Sequence, residues 1–546
     1  MAEIYCVKEN GYKWFKKDNV YFRGYIVKDD SKGQIFRGED AINLLNQIES
    51  YDEFDRFLGS SDGLFSIIIE KNNVVWIAVD IARSMPLYFS ADGSIVSDSS
   101  EYIRKTMNID RSNINQLRAV EMLATEFVAH NNTMYDSIKQ LNIGQSAKIF
   151  NEKIDINSYF NHFTETKMIS YEEAMRLLAA TANKMIDDLI RVVNNRPIIL
   201  SLSGGYDSRF IACLLRSHGI KDVLCYSYGK ETSPDVIQSK KVAKALGYQW
   251  VFVPYTEEKI RNILNEDNES YFELCNEHDF TIYLINYVAV KHLHETNIIK
   301  PNSVFITGLC HDMPTGAYVK NKEEIGNLDE SIDGVAKYII GDRFLRYKLK
   351  QETRNIFEDE VKQYIENKGL VISDYQDFVR VVDALQTSYD HSRRFLPMNK
   401  IHGYFGYEWL LPCWNKNLLL FWYSVPYTYR VKQKLYEDWL INDLCIKFNL
   451  GTKKINYVHA VNPLIAQYKR KIGGLIAMII YNLGLPIKRK TDINNFSQLE
   501  VLLFKKIKQK KIIDWQRAAY TLLLTIYVME HRYGPTCLKN IKKFIY

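Results

Sequence analysis

Residues 198–217 constrain this chain more than any other segment. Ile198-Ile199-Leu200-Ser201-Leu202 is an apolar run of the kind found in strands buried on both faces. It passes directly into Ser203-Gly204-Gly205-Tyr206-Asp207-Ser208-Arg209, and a helical pattern follows over 208–217. A strand covered on both faces belongs to a parallel sheet with helices above and below it. The chain keeps that alternation. Residues 223–227 read as a second strand, 234–246 as a helix, 250–253 as a third strand and 304–307 as a further one ending at Gly308. Such alternation predicts a doubly wound α/β domain with right-handed crossovers. Upstream, Ser170 with Glu173 three residues on is a capping-box signature for a helix over 170–193, broken by Asn194-Asn195-Arg196-Pro197.

The turn between that strand and its helix carries the chemistry. Two adjacent glycines let the backbone curl so that successive N–H groups face one point. The following helix adds its positive end, and the Ser203 and Ser208 hydroxyls add donors. The result is an anion cradle. Asp207 would repel a bare phosphate, and fits only if a divalent cation stands between its carboxylate and the phosphates.

Residues 1–160 read differently. The runs 65–69 and 74–79 flank Lys71-Asn72-Asn73, and 86–89 and 93–96 flank Ala91-Asp92; both are hairpin patterns in a β-rich domain. Beyond Asp329 the pattern is mostly helical. The 546 residues are 47% apolar and 25% charged, and the aromatic share of 13% excludes disorder. Of the eight cysteines no two stand at CxxC spacing, and no Cys/His cluster has zinc-ligand spacing, so reduced thiols are expected. The N-terminus lacks a secretory pattern, which predicts a cytoplasmic protein.

The strand-SGGxDS-helix unit resembles the pyrophosphate loop of the ATP pyrophosphatases, which cleave ATP between the α and β phosphates. Within them it is most similar to the asparagine synthetase family. The family's "SPD" segment is matched by Ser233-Pro234-Asp235. Its Thr-Gly-x-x-x-Asp segment is matched by Thr307-Gly308-Leu309-Cys310-His311-Asp312, and its Glu-x-x-x-Pro segment by Glu408-Trp409-Leu410-Leu411-Pro412, with Asn415 where the family usually has Asp. Asp62-Gly63-Leu64-Phe65-Ser66-Ile67 and Asp80-Ile81-Ala82-Arg83-Ser84-Met85-Pro86-Leu87-Tyr88 resemble the family's glutaminase domain.

The resemblance implies three units. These are an Ntn-like αββα glutaminase-type domain over 1–160, an ATP-pyrophosphatase synthetase domain over 161–460, and a basic helical tail over 461–546. It implies ATP as co-substrate, bound through Leu202, Ser203, Gly204, Gly205, Tyr206, Asp207, Ser208, Ser227 and Gly308, with Mg²⁺ on Asp207 and Asp312. A substrate carboxylate would be adenylated and passed to ammonia or an amine. Lys453 or Lys454 would contact the pyrophosphate, with Lys434 as an outsider, and Glu408 and His311 are candidates for the general base.

Several departures bear on the substrate. Leu309 and Met313 replace two family glutamates, and Leu410 replaces an arginine, which argues against aspartate. Position two, a catalytic cysteine in the glutaminases, is Ala2, and Cys6 is internal, so no glutaminase activity is expected. The aromatic segments around Tyr404–Trp409 and Phe421-Trp422 resemble members from surface-polysaccharide clusters, which would make the acceptor a sugar acid. Lactam or peptide-macrocycle formation and a non-catalytic nucleotide-binding relic stay open, as does the oligomeric state. No nucleic-acid partner is expected, because paired cysteines and RNA-binding motifs are both missing.

The net charge of +6 is unevenly spread. From Val461 to Tyr546 there are 16 Lys/Arg against 4 Asp/Glu, and residues 1–460 are net acidic. Lys469-Arg470-Lys471 and Lys488-Arg489-Lys490 bracket an uncharged stretch over 472–487, too short to span a bilayer. The pattern predicts a solvated helical face packed on the synthetase domain, with peripheral contact with an anionic membrane surface, at the inner face, as the sharper alternative.

Overall fold

The computed structural model describes residues 2–28, 33–264, 269–326, 328–344, 346–450, 474, 476–487, 492–515 and 520–545. The first 160 residues contribute strands β1 (Glu3–Tyr5), β2 (Trp14–Lys17), β3 (Val20–Lys28), β4 (Ile35–Arg37), β5 (Ser61–Lys71), β6 (Val74–Val79), β7 (Tyr88–Ser90), β8 (Ile95–Ser97), β9 (Ile138–Gln140), β10 (Gln145–Phe150) and β11 (Lys153–Ser158). Among the described residues these form two sheets, ordered β11-β10-β6-β5-β3-β2 with β4 on β3, and β1-β8-β7-β9. Alternation along β5 explains the layering. Ile67 and Ile69 face Ala41, Leu45, Phe54 and Leu58 of the helices Gly38–Leu45 and Tyr51–Gly59, and Ile68 faces the second sheet at Leu87, Phe89 and Val96. On the far face of the second sheet, Tyr88, Ile95 and Ile138 share a cluster with Ile103 of the helix Ser100–Thr106. The layers are therefore helix, sheet, sheet, helix, as the αββα expectation requires. Both expected hairpins form, and Asn72 and Asn73 take the positive φ of a tight hairpin turn.

The second domain holds β12 (Ile198–Ser201), β13 (Val223–Gly229), β14 (Gln249–Pro254), β15 (Val304–Ile306) and β16 (Glu408–Leu410), all parallel, in the order β14-β13-β12-β15-β16. The chain moves outward from β12 to β14 and then returns to β15 on the other side of β12. That reversal opens a crevice beyond the carboxyl ends of β12 and β15, where open α/β sheets bind ligands. Ser170 caps the helix Tyr171–Val193 by accepting from the Glu173 N–H, as its sequence predicts.

The two domains are clamped by buried charge. Asp279, with no exposure, accepts from Arg83 at 2.8 Å and from the Tyr88 hydroxyl at 2.8 Å, with Arg393 3.8 Å away. Burial alone would raise the Asp279 carboxyl, but the two guanidiniums outweigh it and hold the group below the usual range. Asp62 accepts from Asn415 at 2.6 Å and from the Lys416 N–H at 3.1 Å, so the Asp62-Gly63 motif serves this seam. Asp80 orders its own turn, accepting N–H groups from Phe65 and Ala82.

The basic tail is not a separate appendage. The helix Tyr520–Tyr533 lies within the main core, and Arg532 donates to the carbonyls of Cys275, Glu277 and Phe280. Among the described residues no helix is long and apolar enough to cross a membrane.

Replacing Asp279 by Asn leaves Arg83 and Arg393 facing a neutral group and is expected to cost about 3–5 kcal/mol in chemical unfolding. Its folded pKa is depressed, so this stabilisation is present above the unfolded value of ~3.9 and lost as the pH falls toward the folded one. Acid titration of the wild type against Asp279→Asn checks the sign: the gap between them closes only below about pH 4.

Candidate active site

The Ser203–Ser208 loop is held in shape by its own groups. The Leu202 N–H donates to the Tyr226 carbonyl at 2.9 Å, extending β12 by one register step. The Ser203 N–H donates to Ser208 Oγ at 3.0 Å, the Gly204 N–H to Asp235 Oδ1 at 2.9 Å, and the Gly205 N–H to Ser203 Oγ at 3.2 Å. Ser227 Oγ donates to the Leu202 carbonyl and to Ser239 Oγ. Ser233 caps the helix Pro234–Leu246, which fixes Asp235 at the loop.

Two expectations about this loop change. The helix begins at Tyr206 and not at Ser208, so Asp207 stands in its first turn, where a carboxylate is favoured by the helix dipole. Neither loop glycine has positive φ; Gly205 is extended (φ −75°, ψ 171°) and serves as N-cap. A Cβ on Gly205 would stand 3.3 Å from Ser203 Oγ, a tight contact that a small shift of that hydroxyl relieves.

Gly308, just after β15, makes the closest approach. A Cβ there would stand 3.0 Å from the Asp207 carbonyl carbon and 3.1 Å from the Ser208 nitrogen. The chain then leads to Asp312. Asp207 and Asp312 line one crevice of about 420 Å³ together with Ser203, Gly205, Ser208 and Gly308. Each carboxylate is steered by a tyrosine: the Tyr436 hydroxyl donates to Asp207 Oδ1 at 3.2 Å, and the Tyr318 hydroxyl to Asp312 Oδ2 at 3.1 Å. Burial and the neighbouring Asp207 push the Tyr436 hydroxyl well up, so it stays a donor.

Of the remaining residues expected at the nucleotide, Leu202, Gly204, Tyr206 and Ser227 sit behind the crevice wall and support it. His311 is fully buried beside Asp207, its Nδ1 3.8 Å from Oδ1, among the rings of Phe210 and Tyr436. Burial pulls its imidazole down to about 3, so it is neutral packing and not a proton acceptor facing substrate. Glu408 is also elsewhere. It pairs in register with Val304, the first residue of β15, at the end of the sheet away from the crevice. There it binds Arg37 at 3.0 Å across the domain seam and Arg196 at 2.6 Å within its own domain. Lys434 faces Asp438 at 3.5 Å and the Tyr171 ring, outside the crevice. Lys453 and Lys454 lie outside the described residues. Leu309 lines the crevice, whereas Met313 and Leu410 are buried. The aromatics Trp409, Phe421 and Trp422 are core.

The far rim holds residues that the sequence did not single out. His391, on the π-helix Thr387–Phe395, lines the crevice with Asn286, Tyr228 and Phe395. Burial outweighs the pull of Asp390 and Asp312 and keeps the ring neutral. π-Helical turns cluster at functional sites, but their sequence carries no distinct period from which to read them.

Fold and crevice define an α/β domain of the kind that binds nucleotide at a glycine-rich turn between adjacent parallel strands. Residues 189–436 match the sequence profile of the family described as asparagine synthase. A relative from Acanthamoeba polyphaga mimivirus, "Probable asparagine synthetase [glutamine-hydrolyzing]", is 23% identical over 278 residues, which cover 48% of this chain and 47% of the relative. The chain thus spans about half the length of that relative. Over this domain the chain is similar to the asparagine synthetase family. Solved structures with partial likeness include the allosteric regulatory enzyme of purine biosynthesis (11% identity, 44% of this chain, 62% of that one). Another is glutamine phosphoribosylpyrophosphate amidotransferase from B. subtilis (9%, 54%, 63%). Both superpose at a TM-score of 0.18, too low to carry an argument.

Gly308→Ala is expected to cost about 1–3 kcal/mol in urea unfolding, because the new methyl meets backbone. Gly59→Ala, whose Cβ has only a 3.8 Å neighbour, is the neutral comparison.

Proposed function

We propose that this chain is an ATP-dependent, AMP-forming amide ligase. The observation that supports it most is the convergence of Asp207 and Asp312, from the ends of adjacent strands, on a crevice walled by the Ser203–Ser208 loop. Among the described residues no group of three or more His, Cys, Asp or Glu side chains could hold a metal ion alone. Two carboxylates suit Mg²⁺, which is bound through one or two protein carboxylates together with substrate phosphates and water. When bound there, Mg²⁺ would offset the charge of the phosphates.

The chain's own groups have defined tasks in this reading. Ser203, Ser208 and the helix start at Tyr206 orient the phosphates, and the Tyr318 and Tyr436 hydroxyls hold the two carboxylates in place. A substrate carboxylate oxygen bonds the α-phosphorus and pyrophosphate leaves. An amine or ammonia nitrogen then bonds the acyl carbon, gives up a proton, and AMP leaves. Lys453 and Lys454 remain the proposed cations at the pyrophosphate. The rim of Tyr228, Leu309, Phe395 and Met398 offers no ammonium or guanidinium for an amino-acid α-carboxylate, which favours a bulkier acceptor such as a sugar acid. Glutamine hydrolysis is not part of the reading. Cys6 is the sole cysteine of residues 1–160, and burial beside Asp98 pushes its thiol up, away from the reactive thiolate. Lactam or macrocycle formation by the same two steps is the second reading, favoured by the same uncharged rim.

The proposal extends to peripheral contact with an anionic lipid surface. Ile476, Ile479 and Leu483 recur at helical spacing and are 49%, 51% and 68% exposed, with Leu485 at 54%. Lys505 Nζ reaches Gly484 beside them, and Lys506 and Lys508 are exposed on the same segment. Apolar side chains rimmed by lysine match a surface of acyl chains under anionic headgroups.

ATP–pyrophosphate exchange with a panel of carboxylates that includes uronic acids tests the ligase. Exchange is expected with at least one acid and falls at least about tenfold in Asp207→Asn; failure to bind MgATP at all by calorimetry sinks the reading, as does glutamate release from glutamine for the missing hydrolase. For the lipid surface, the full chain should sediment with phosphatidylglycerol-containing vesicles and not with phosphatidylcholine alone. Ile479→Ser with Leu483→Ser should abolish sedimentation, and unchanged sedimentation would refute the assignment.

A further inference from the structure

A small cavity of about 30 Å³ lies where the two domains meet, lined by Lys8, Asn10, Arg23 and Asp98 of the first and by Lys400 and Trp409 of the second. Two of these residues bring donors without acceptors. Lys400 Nζ and Trp409 Nε1 are both buried, and neither has a hydrogen-bond partner. Lys400 Nζ rests instead 4.4 Å from the centroid of the Phe280 ring. The other cations at the cavity are answered. Lys8 Nζ pairs with Glu277 and donates to the Leu274 carbonyl at 3.2 Å. Arg23 binds Asp98 at 3.4 Å and donates to the carbonyls of Tyr12 and Asn10. Asp279 also acts on Lys400, but it is already engaged by Arg83 and Tyr88. The lining thus carries three cations, Lys8, Arg23 and Lys400, and one carboxylate, Asp98, while Glu277, outside the lining, answers Lys8. Buried charges are ordinarily paired, and the unanswered one here is Lys400.

We propose that the cavity binds one small monovalent anion, of the size and charge of chloride, held by Lys400 Nζ and Trp409 Nε1 where the second domain faces the first. The volume suits a single ion, being close to that of one water molecule. Water would fill the same space but would leave the ammonium charge unanswered. Burial pulls the Lys400 amine down to about 8, Cys275 and Asp279 oppose that, and Arg83 and Arg532 reinforce it. An anion at Nζ further favours the charged form of the amine at the seam between the domains.

The test uses the full chain at constant ionic strength, with sodium chloride replaced stepwise by sodium gluconate, whose anion is too large for the cavity. The wild-type Tm is expected to fall by more than about 2 °C on full replacement. Lys400→Met should show no such dependence, and Trp409→Phe a smaller one. A wild-type Tm indifferent to the exchange overturns the proposal, and so does a dependence that survives in Lys400→Met. Crystals of the wild type grown in sodium bromide give a readout that does not depend on a variant folding: an anomalous peak at the Lys400 ammonium is expected, and an empty cavity refutes the site.

Discussion

Backbone meets backbone where Gly308 lies against Asp207 and Ser208, and the crevice depends on that contact. It fixes how closely the end of β15 approaches the first turn of the helix after β12. With that distance set, Asp207 and Asp312 face one volume from two strands. Everything around the contact holds it. Asp235 ties down the Gly204 amide, Ser227 ties down the Leu202 carbonyl, and Tyr436 and Tyr318 orient the carboxylates. The loop's shape is thus set by the chain's own hydrogen bonds.

The N-terminal domain contributes to this rigidity. Its motif residues Asp62 and Arg83 reach across the seam to Asn415 and Asp279, and Arg37 reaches Glu408. A domain of glutaminase-like pattern here acts as a buttress whose polar residues are spent on its neighbour. The acidic body and the basic tail are likewise not separable, because the last long helix lies within the shared core.

Much of this could be read from residues alone, and the exceptions have physical causes. Strands β12 to β15 and the helix Pro234–Leu246 carry strong apolar periodicity bounded by turn residues, so their expected limits fall within a few residues of the observed ones. Asp207 stands out from the glycine-rich turn that carries it, whereas Gly308 and Asp312 stand out only through the resemblance of their segment to the family's, and the three line one crevice. Glu408 was misplaced because a motif gives order along the chain and not register: pairing with Val304 puts it at the wrong end of the sheet. β16 itself has three residues, too few for any period to emerge. Tyr436 reaches Asp207 across 229 residues, a pairing that only tertiary packing creates.

The position of Arg532 bears on how the molecule comes into being. Its guanidinium satisfies the carbonyls of Cys275, Glu277 and Phe280, and the first of these precedes it by 257 residues. That inner loop carries Asp279, the charge that joins the two domains. During synthesis at ~5–20 residues per second, the loop waits on the order of 10–50 s for its last partner to be made. The halves can collapse as they emerge from the ribosome, but the seam between them closes only once the helix Tyr520–Tyr533 has been made.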